Sequence, residues 1–209
     1  MRTKQKGLFI TFEGIDGCGK TTQLALVGQF LTDRGYRVHT LREPGSTEIA
    51  EKIRELLLDE RSAMTDITEL LLYEAARAEI TSKEIAPLLR RGHVVLCDRF
   101  YDSTTAYQGY GRKLDIRMVK SLHRVAVGDV EPDLTLVFDL NPRIAAKRLG
   151  RKRDRLESQS PAFHKRVRQG FLEIARKEGR RVKVIDAERS VEQIFEDVKS
   201  HLVKKLRRR

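Results

Sequence analysis

Short apolar runs alternate along this chain with stretches whose apolar residues recur at helical spacing. Runs at residues 8–12, 36–41, 93–97, 134–138 and 182–185 cluster Val, Ile, Leu and Phe, and continuous runs of this kind suit strands covered on both faces. Between them, Leu24, Val27 and Leu31 mark a helix over 22–34, and Ile49, Ile53, Leu56 and Leu57 mark one over Glu48–Leu58. Residues 65 to about 90 read as a long helical region that Pro87 kinks or divides. Residues 100–112 are rich in Ser, Thr, Tyr and Gly, a helix is expected over Ile116–Val127, and Pro142 is placed to open another. Residues 150–159 are polar with no apolar period. Beyond them, Phe163, Val167, Phe171 and Ile174 follow Pro161 on one helical face, and Val191, Ile194, Phe195, Val198 and Leu202 mark a last helix. Five strands interleaved with helices predict an α/β fold, a three-layer α/β/α sandwich around a parallel sheet, with residues 1–209 as a single domain.

Composition narrows the class. The chain has 209 residues and only two cysteines, Cys18 and Cys97, too few for a disulfide framework or a metal cluster, so reducing cytoplasm is expected. The basic start is followed by an apolar run too short for a signal peptide or a membrane span. A formal charge of +12 points to anionic partners, either phosphorylated small molecules or nucleic acid. The basic residues concentrate at 147–155 and in the tail at 204–209, where a solvated helix end is the simpler account.

The stretch Gly14-Ile15-Asp16-Gly17-Cys18-Gly19-Lys20-Thr21 fits G-x-x-x-x-G-K-[ST] at every specified position, between an expected strand and an expected helix. Glycines there let successive N–H groups face an anion, and the following helix N-terminus adds positive potential. Lys20 is expected to reach the β and γ phosphates of a nucleoside triphosphate, and the Thr21 hydroxyl to join the shell of Mg²⁺. A phosphoryl transfer also needs cations between donor and acceptor. Arg42 and Arg99 stand at strand ends suited to that task, and Asp98 is placed to hold magnesium through water or to orient the acceptor oxygen.

Four motifs in order resemble the thymidylate kinases over nearly the whole chain: residues 12–23 around the glycine loop; Arg42-Glu43-Pro44-Gly45; Asp98-Arg99-Phe100 with Ser103 and Ala106-Tyr107-Gln108-Gly109; and Asp154-Arg155-Leu156-Glu157. The resemblance implies a P-loop nucleoside monophosphate kinase fold, ATP-dependent and Mg²⁺-dependent phosphorylation of dTMP to dTDP, and a homodimer. It places ATP on Gly14, Ile15, Asp16, Gly17, Cys18, Gly19, Lys20, Thr21, Thr22 and Arg148. It places the acceptor on Asp16, Arg42, Tyr73, Arg77, Arg99, Ser103, Thr104, Tyr107 and Gln108, with Tyr73 stacking on the base and Arg77 reaching a base carbonyl. Tyr73 stands where the family usually has Phe, and Ser46 where relatives commonly have Gly.

The resemblance also implies a mobile lid near residues 148–159, where Arg148, Arg151 and Arg155 recur on one helical face. In one branch of the family an arginine follows the loop aspartate; here that position is Gly17. Catalytic positive charge is therefore expected from Arg151, Lys152 and Arg153, alongside the catalytic residues Lys20, Asp98 and Arg99, with an arginine at position 17 expected to restore some activity when those three are replaced. The alternatives are a kinase of another nucleotide such as dUMP, or a catalytically weak P-loop protein that binds nucleic acid.

Overall fold

A computed structural model describes residues 7–149 and 154–207. Strand β1 (Leu8–Glu13) is buried at every position and lies at the centre of a five-stranded parallel sheet. The order is β2 (Val38–Arg42), β3 (Val94–Asp98), β1, β4 (Leu134–Asp139), β5 (Val182–Asp186). The period of two divides β1 between two cores. Leu8, Ile10 and Phe12 join Val94, Leu96 and Leu136 beneath α1 (Lys20–Thr32), α8 (Pro161–Lys177) and α9 (Val191–Leu206). Phe9 turns the other way with Val95 and Cys97, against Ile80 at the end of α3 (Asp66–Ile80), Leu88 of α4 (Ala86–Arg90) and Val127 of α6 (Ile116–Val127). A sheet covered on both faces is the three-layer sandwich expected from the apolar runs.

The remaining helices are α2 (Glu48–Leu58), α5 (Tyr101–Thr104) and α7 (Pro142–Leu149). Thr47 and Thr65 cap α2 and α3 through their hydroxyls, accepting from Ala50 N and Thr68 N, which satisfies free first-turn donors. Two segments differ from expectation. Between residues 66 and 90 the path stays helical but widens into a π-turn at Thr81–Ile85, where Ala86 N donates to Thr81 O. That re-spacing accommodates Pro87, whose ring would crowd an α-helical carbonyl four residues back. The Ser/Thr/Tyr/Gly-rich stretch is also helical: α5 runs into a π-turn at Thr105–Gly111, whose Ala106, Tyr107 and Gln108 are buried. Tyr107 meets Phe163 and Phe171 of α8 edge-on, so tertiary packing overrides weak local propensity there.

Parallel register decides where the chemistry gathers. Arg42 pairs with Asp98, and Asp98 with Phe12, which puts three strand ends in one row beside the glycine loop. Loops at the carboxyl ends of parallel strands are where such sheets bind ligands.

Candidate active site

The glycine loop leaves β1 with Gly14, Gly17 and Gly19 at φ of 134°, 78° and 92°, in the left-handed region that favours glycine. Gly17 has a second constraint: a Cβ there would lie 2.8 Å from the Ala145 carbonyl oxygen of α7. An arginine at this position would meet both backbone strain and backbone atoms, so the loop or α7 would have to shift to accept it. Lys20, the first residue of α1, is only 6% exposed, and its Nζ donates to Gly14 O and Ile15 O at 3.2 Å each. Ile15 and Cys18 are buried, so what they offer an anion is backbone.

Asp98 ends β3 beside that loop. Thr21 Oγ1 donates to Asp98 Oδ2 at 3.2 Å, while Asp98 Oδ1 is buried with no hydrogen-bond partner in the protein. A hydroxyl and an unsatisfied carboxylate oxygen form a fitting donor set for a hard cation that keeps several waters. Among the described residues, no group of three or more His, Cys, Asp or Glu forms a closed metal site.

Arg99 follows at φ 71°, a conformation that costs a non-glycine residue on the order of 1–3 kcal/mol. Its surroundings hold it there. Arg99 N donates to Phe12 O at 2.9 Å, Nη1 to Gly14 O and Ser103 Oγ at 2.9 and 3.1 Å, and Nη2 to Asp16 Oδ1 at 2.7 Å. Beneath lies Glu13, whose carboxylate accepts from Phe100 N at 2.8 Å and Ser103 Oγ at 2.5 Å. Burial, reinforced by Asp102, pushes the Glu13 carboxyl up to about 8.

Two cavities meet at this turn. The phosphate side is lined by Gly17, Gly19, Lys20, Thr21, Thr22, Arg42, Asp98 and Arg148. The acceptor side is lined by Tyr73, Ser103, Thr104, Tyr107, Gln108, Asp154 and Leu156. Asp16, Glu43, Arg54 and Arg99 line both. Thr104 Oγ1, Tyr107 Oη and Glu43 Oε1 are buried without hydrogen-bond partners in the protein, an uncommon concentration of polar capacity. Arg148 Nη1 also donates to Ala187 O at 3.2 Å, tying α7 to the loop after β5.

Expected site residues are thus brought together with a few exceptions. Arg77 does not line the acceptor cavity. Its guanidinium is 1% exposed; Nε donates to Glu43 Oε2 at 2.8 Å and Nη1 to Glu74 Oε1 at 2.7 Å. Two buried carboxylates, Glu43 and Glu74, thus claim donors of the residue expected at the base. Arg42 lines only the phosphate side and is 47% exposed, with Nη2 donating to Glu51. Arg151, Lys152 and Arg153 lie outside the described residues.

Arg54 was not among the expected residues, although it lines both cavities and donates through Nη1 to Pro44 O at 2.9 Å. Burial, then Arg42 nearby, pulls its pKa below the usual arginine value. It follows Ile53 on an ordinary amphipathic helix, so local pattern carries no signal for it. Glu13 did leave one: a carboxylate adjoining a buried apolar strand.

The family model described as thymidylate kinase matches residues 12–198. Among proteins named thymidylate kinase, that of Symbiobacterium thermophilum is 47% identical over 204 residues, covering 97% of this chain and 95% of the relative. That of Geobacter sulfurreducens is 47% identical over 212 residues, covering 97% of this chain and 100% of the relative. A crystal structure of thymidylate kinase from Ehrlichia chaffeensis superposes with a TM-score of 0.78 at 37% identity, covering 94% of this chain and 98% of that one. With the glycine loop, the acceptor wall and these likenesses extending over the same length of sequence, the chain belongs to the thymidylate kinase family.

Proposed function

We propose that this chain transfers the γ-phosphoryl group of ATP to dTMP, giving dTDP and ADP. The observation that carries this reading is the meeting of two cavities at Asp16, Glu43, Arg54 and Arg99, with the glycine loop on one side and an aromatic-walled pocket on the other. Phosphoryl transfer is chiefly positioning and charge neutralisation, so a donor site and an acceptor site sharing two arginines is the arrangement it requires.

In this reading the N–H groups of residues 14–21 and Lys20 hold the ATP phosphates, and Arg148 borders their side of the site. Arg99 and Arg54 bind the acceptor phosphate in line with the γ-phosphoryl group. Tyr73 packs on the base and Tyr107 crowds the sugar, while Asp16 faces the sugar hydroxyl. Thr21 and Asp98 would hold Mg²⁺, which when bound neutralises charge on the phosphate oxygens. A lid near residues 148–159 that closes over the site would exclude water and protect ATP from hydrolysis. Its end is anchored through Arg155 Nε, which donates to Leu57 O at 2.8 Å.

Exposed apolar residues support a homodimer. Ile49 and Leu56 of α2, Ile67 and Leu71 of α3, and Val125 of α6 are exposed on three helices packed side by side, and a second copy would cover them. No helix among the described residues is long and apolar enough to cross a membrane, and cytoplasmic residence fits two reduced, buried cysteines.

The test is a coupled ADP-release assay with ATP, Mg²⁺ and dTMP, dUMP, dCMP, dAMP or dGMP in turn. Fastest turnover on dTMP is the expected result, and preference for another monophosphate would overturn the assignment of substrate. Light scattering reads the oligomer, and a monomer at micromolar concentration would overturn the dimer.

A further inference from the structure

Glu69 is 1% exposed, yet its carboxylate receives donors from the 105–112 segment and from the end of the lid. Gln108 Nε2 and Arg112 Nε donate to Oε1 at 2.8 and 3.1 Å. Arg112 Nη2 and Arg155 Nη1 donate to Oε2 at 2.9 and 2.5 Å. Burial by itself would raise this carboxyl, but the donations from Arg112, Gln108 and Arg155 outweigh it and hold the group below its ordinary value. An ionised carboxylate accepts hydrogen bonds and cannot donate them. The Gln108 amide is therefore held in one sense, because a flip would set its carbonyl oxygen against Glu69. Gln108 also lines the acceptor cavity with Tyr73, and with one Nε2–H committed to Glu69, Oε1 is the acceptor the amide brings to that wall.

We infer that Glu69 is a positioning residue for base selection: by fixing the polarity of the Gln108 amide it makes the cavity offer an acceptor, matching a pyrimidine whose N3 carries a proton. Thymine and uracil carry that proton, whereas cytosine presents a lone pair at N3 and would face carbonyl oxygen with no donor between. The inference rests on the acceptor cavity holding the base, as proposed above. Arg112 and Arg155 take part by keeping Glu69 ionised, and Arg112 is itself held by Gln159 Oε1 at 3.0 Å from Nη1.

Glu69→Gln tests this, since a glutamine at 69 can donate or accept and frees the Gln108 amide to turn. By calorimetry, the ratio of dTMP to dCMP binding constants is expected to fall about 10-fold or more, because sites built around a hydrogen bond discriminate strongly and lose that when the polarity is free. ATP binding should stay within about twofold. An unchanged dTMP to dCMP ratio in the folded variant would overturn the inference, since a purely structural role lowers both affinities together. Should that variant not fold, side-chain amide NMR of the wild-type enzyme decides, with Gln108 assigned by its loss in Gln108→Leu. The Gln108 NH₂ signals should keep their hydrogen-bonded shift when dTMP is added; reversal of the amide on binding would overturn the inference. Failure of the functional reading would look different, as wild-type enzyme binding neither dTMP nor dUMP, and would overturn the inference through its premise.

Discussion

Arg77 Nε donates to Glu43 Oε2 at 2.8 Å, with the two side chains 1% and 3% exposed, and of the two only Glu43 lines the acceptor cavity. Arg77 also pairs with Glu74, which in turn contacts His123 Nδ1 at 2.8 Å. Removing the arginine would leave two buried carboxylates facing each other. Arg77→Ala is expected to destabilise the fold by about 3–5 kcal/mol, as loss of one partner from a buried ion pair does. Urea unfolding checks this, and a variant of wild-type stability would mean that Glu43 and Glu74 find other partners.

Lys20→Ala removes the loop cation without opening the apolar core. Its two hydrogen bonds to loop carbonyls are lost, which costs about 1–2 kcal/mol of stability. Turnover should fall by about 10³-fold or more, because transition-state charge loses its compensation. Near-normal kcat would move the donor site away from this loop.

Arg54 borders both cavities, so Arg54→Ala should raise the KM for dTMP by about 10-fold to 100-fold, the scale of a lost charge-assisted contact, with the KM for ATP changed much less. Steady-state kinetics with each substrate varied in turn separates the two effects. Equal changes for both would make Arg54 a structural support of the Pro44 turn.

Replacing Arg151, Lys152 and Arg153 together by Ala should lower kcat by about 10³-fold with little change in dTMP affinity, as loss of a catalytic arginine does. Adding Gly17→Arg to that background should fail to rescue and should lower the melting temperature, because φ is 78° there and a Cβ would press on Ala145 O. Recovered activity would show that the loop can reshape around a side chain.

Glu13 gives stability a pH dependence. Its folded pKa of about 8 lies above the ordinary 4.5, so the folded state retains a proton that the unfolded chain has lost, and stability falls as pH rises between those values. In Glu13→Gln this part of the decline disappears, and the melting temperature between pH 5 and pH 8 should flatten by several degrees relative to wild type. An unaltered slope in calorimetric scans would place the titration elsewhere, with Glu43, pushed up to about 7, as the next carboxyl to test.

The strands, most helices and the phosphate loop were legible because each is written locally. Periods of two and 3.6, prolines at helix starts and a glycine pattern around Lys20 need only neighbouring residues to be recognised. The Thr105–Gly111 turn was less legible, since its helical form depends on Tyr107 packing against α8.

What the sequence by itself determined is the layered α/β fold, the nucleotide loop and the family, because apolar period and motif order survive as linear information. Only the tertiary structure decided that Arg77 is paired with Glu43 and Glu74, that Arg54 borders both cavities, that Glu13 holds the Phe100–Ser103 turn, and that Glu69 holds Gln108. These outcomes depend on which charges meet after the sheet has set its register: burial forces each carboxylate to find donors, and the donors it finds lie far away along the chain.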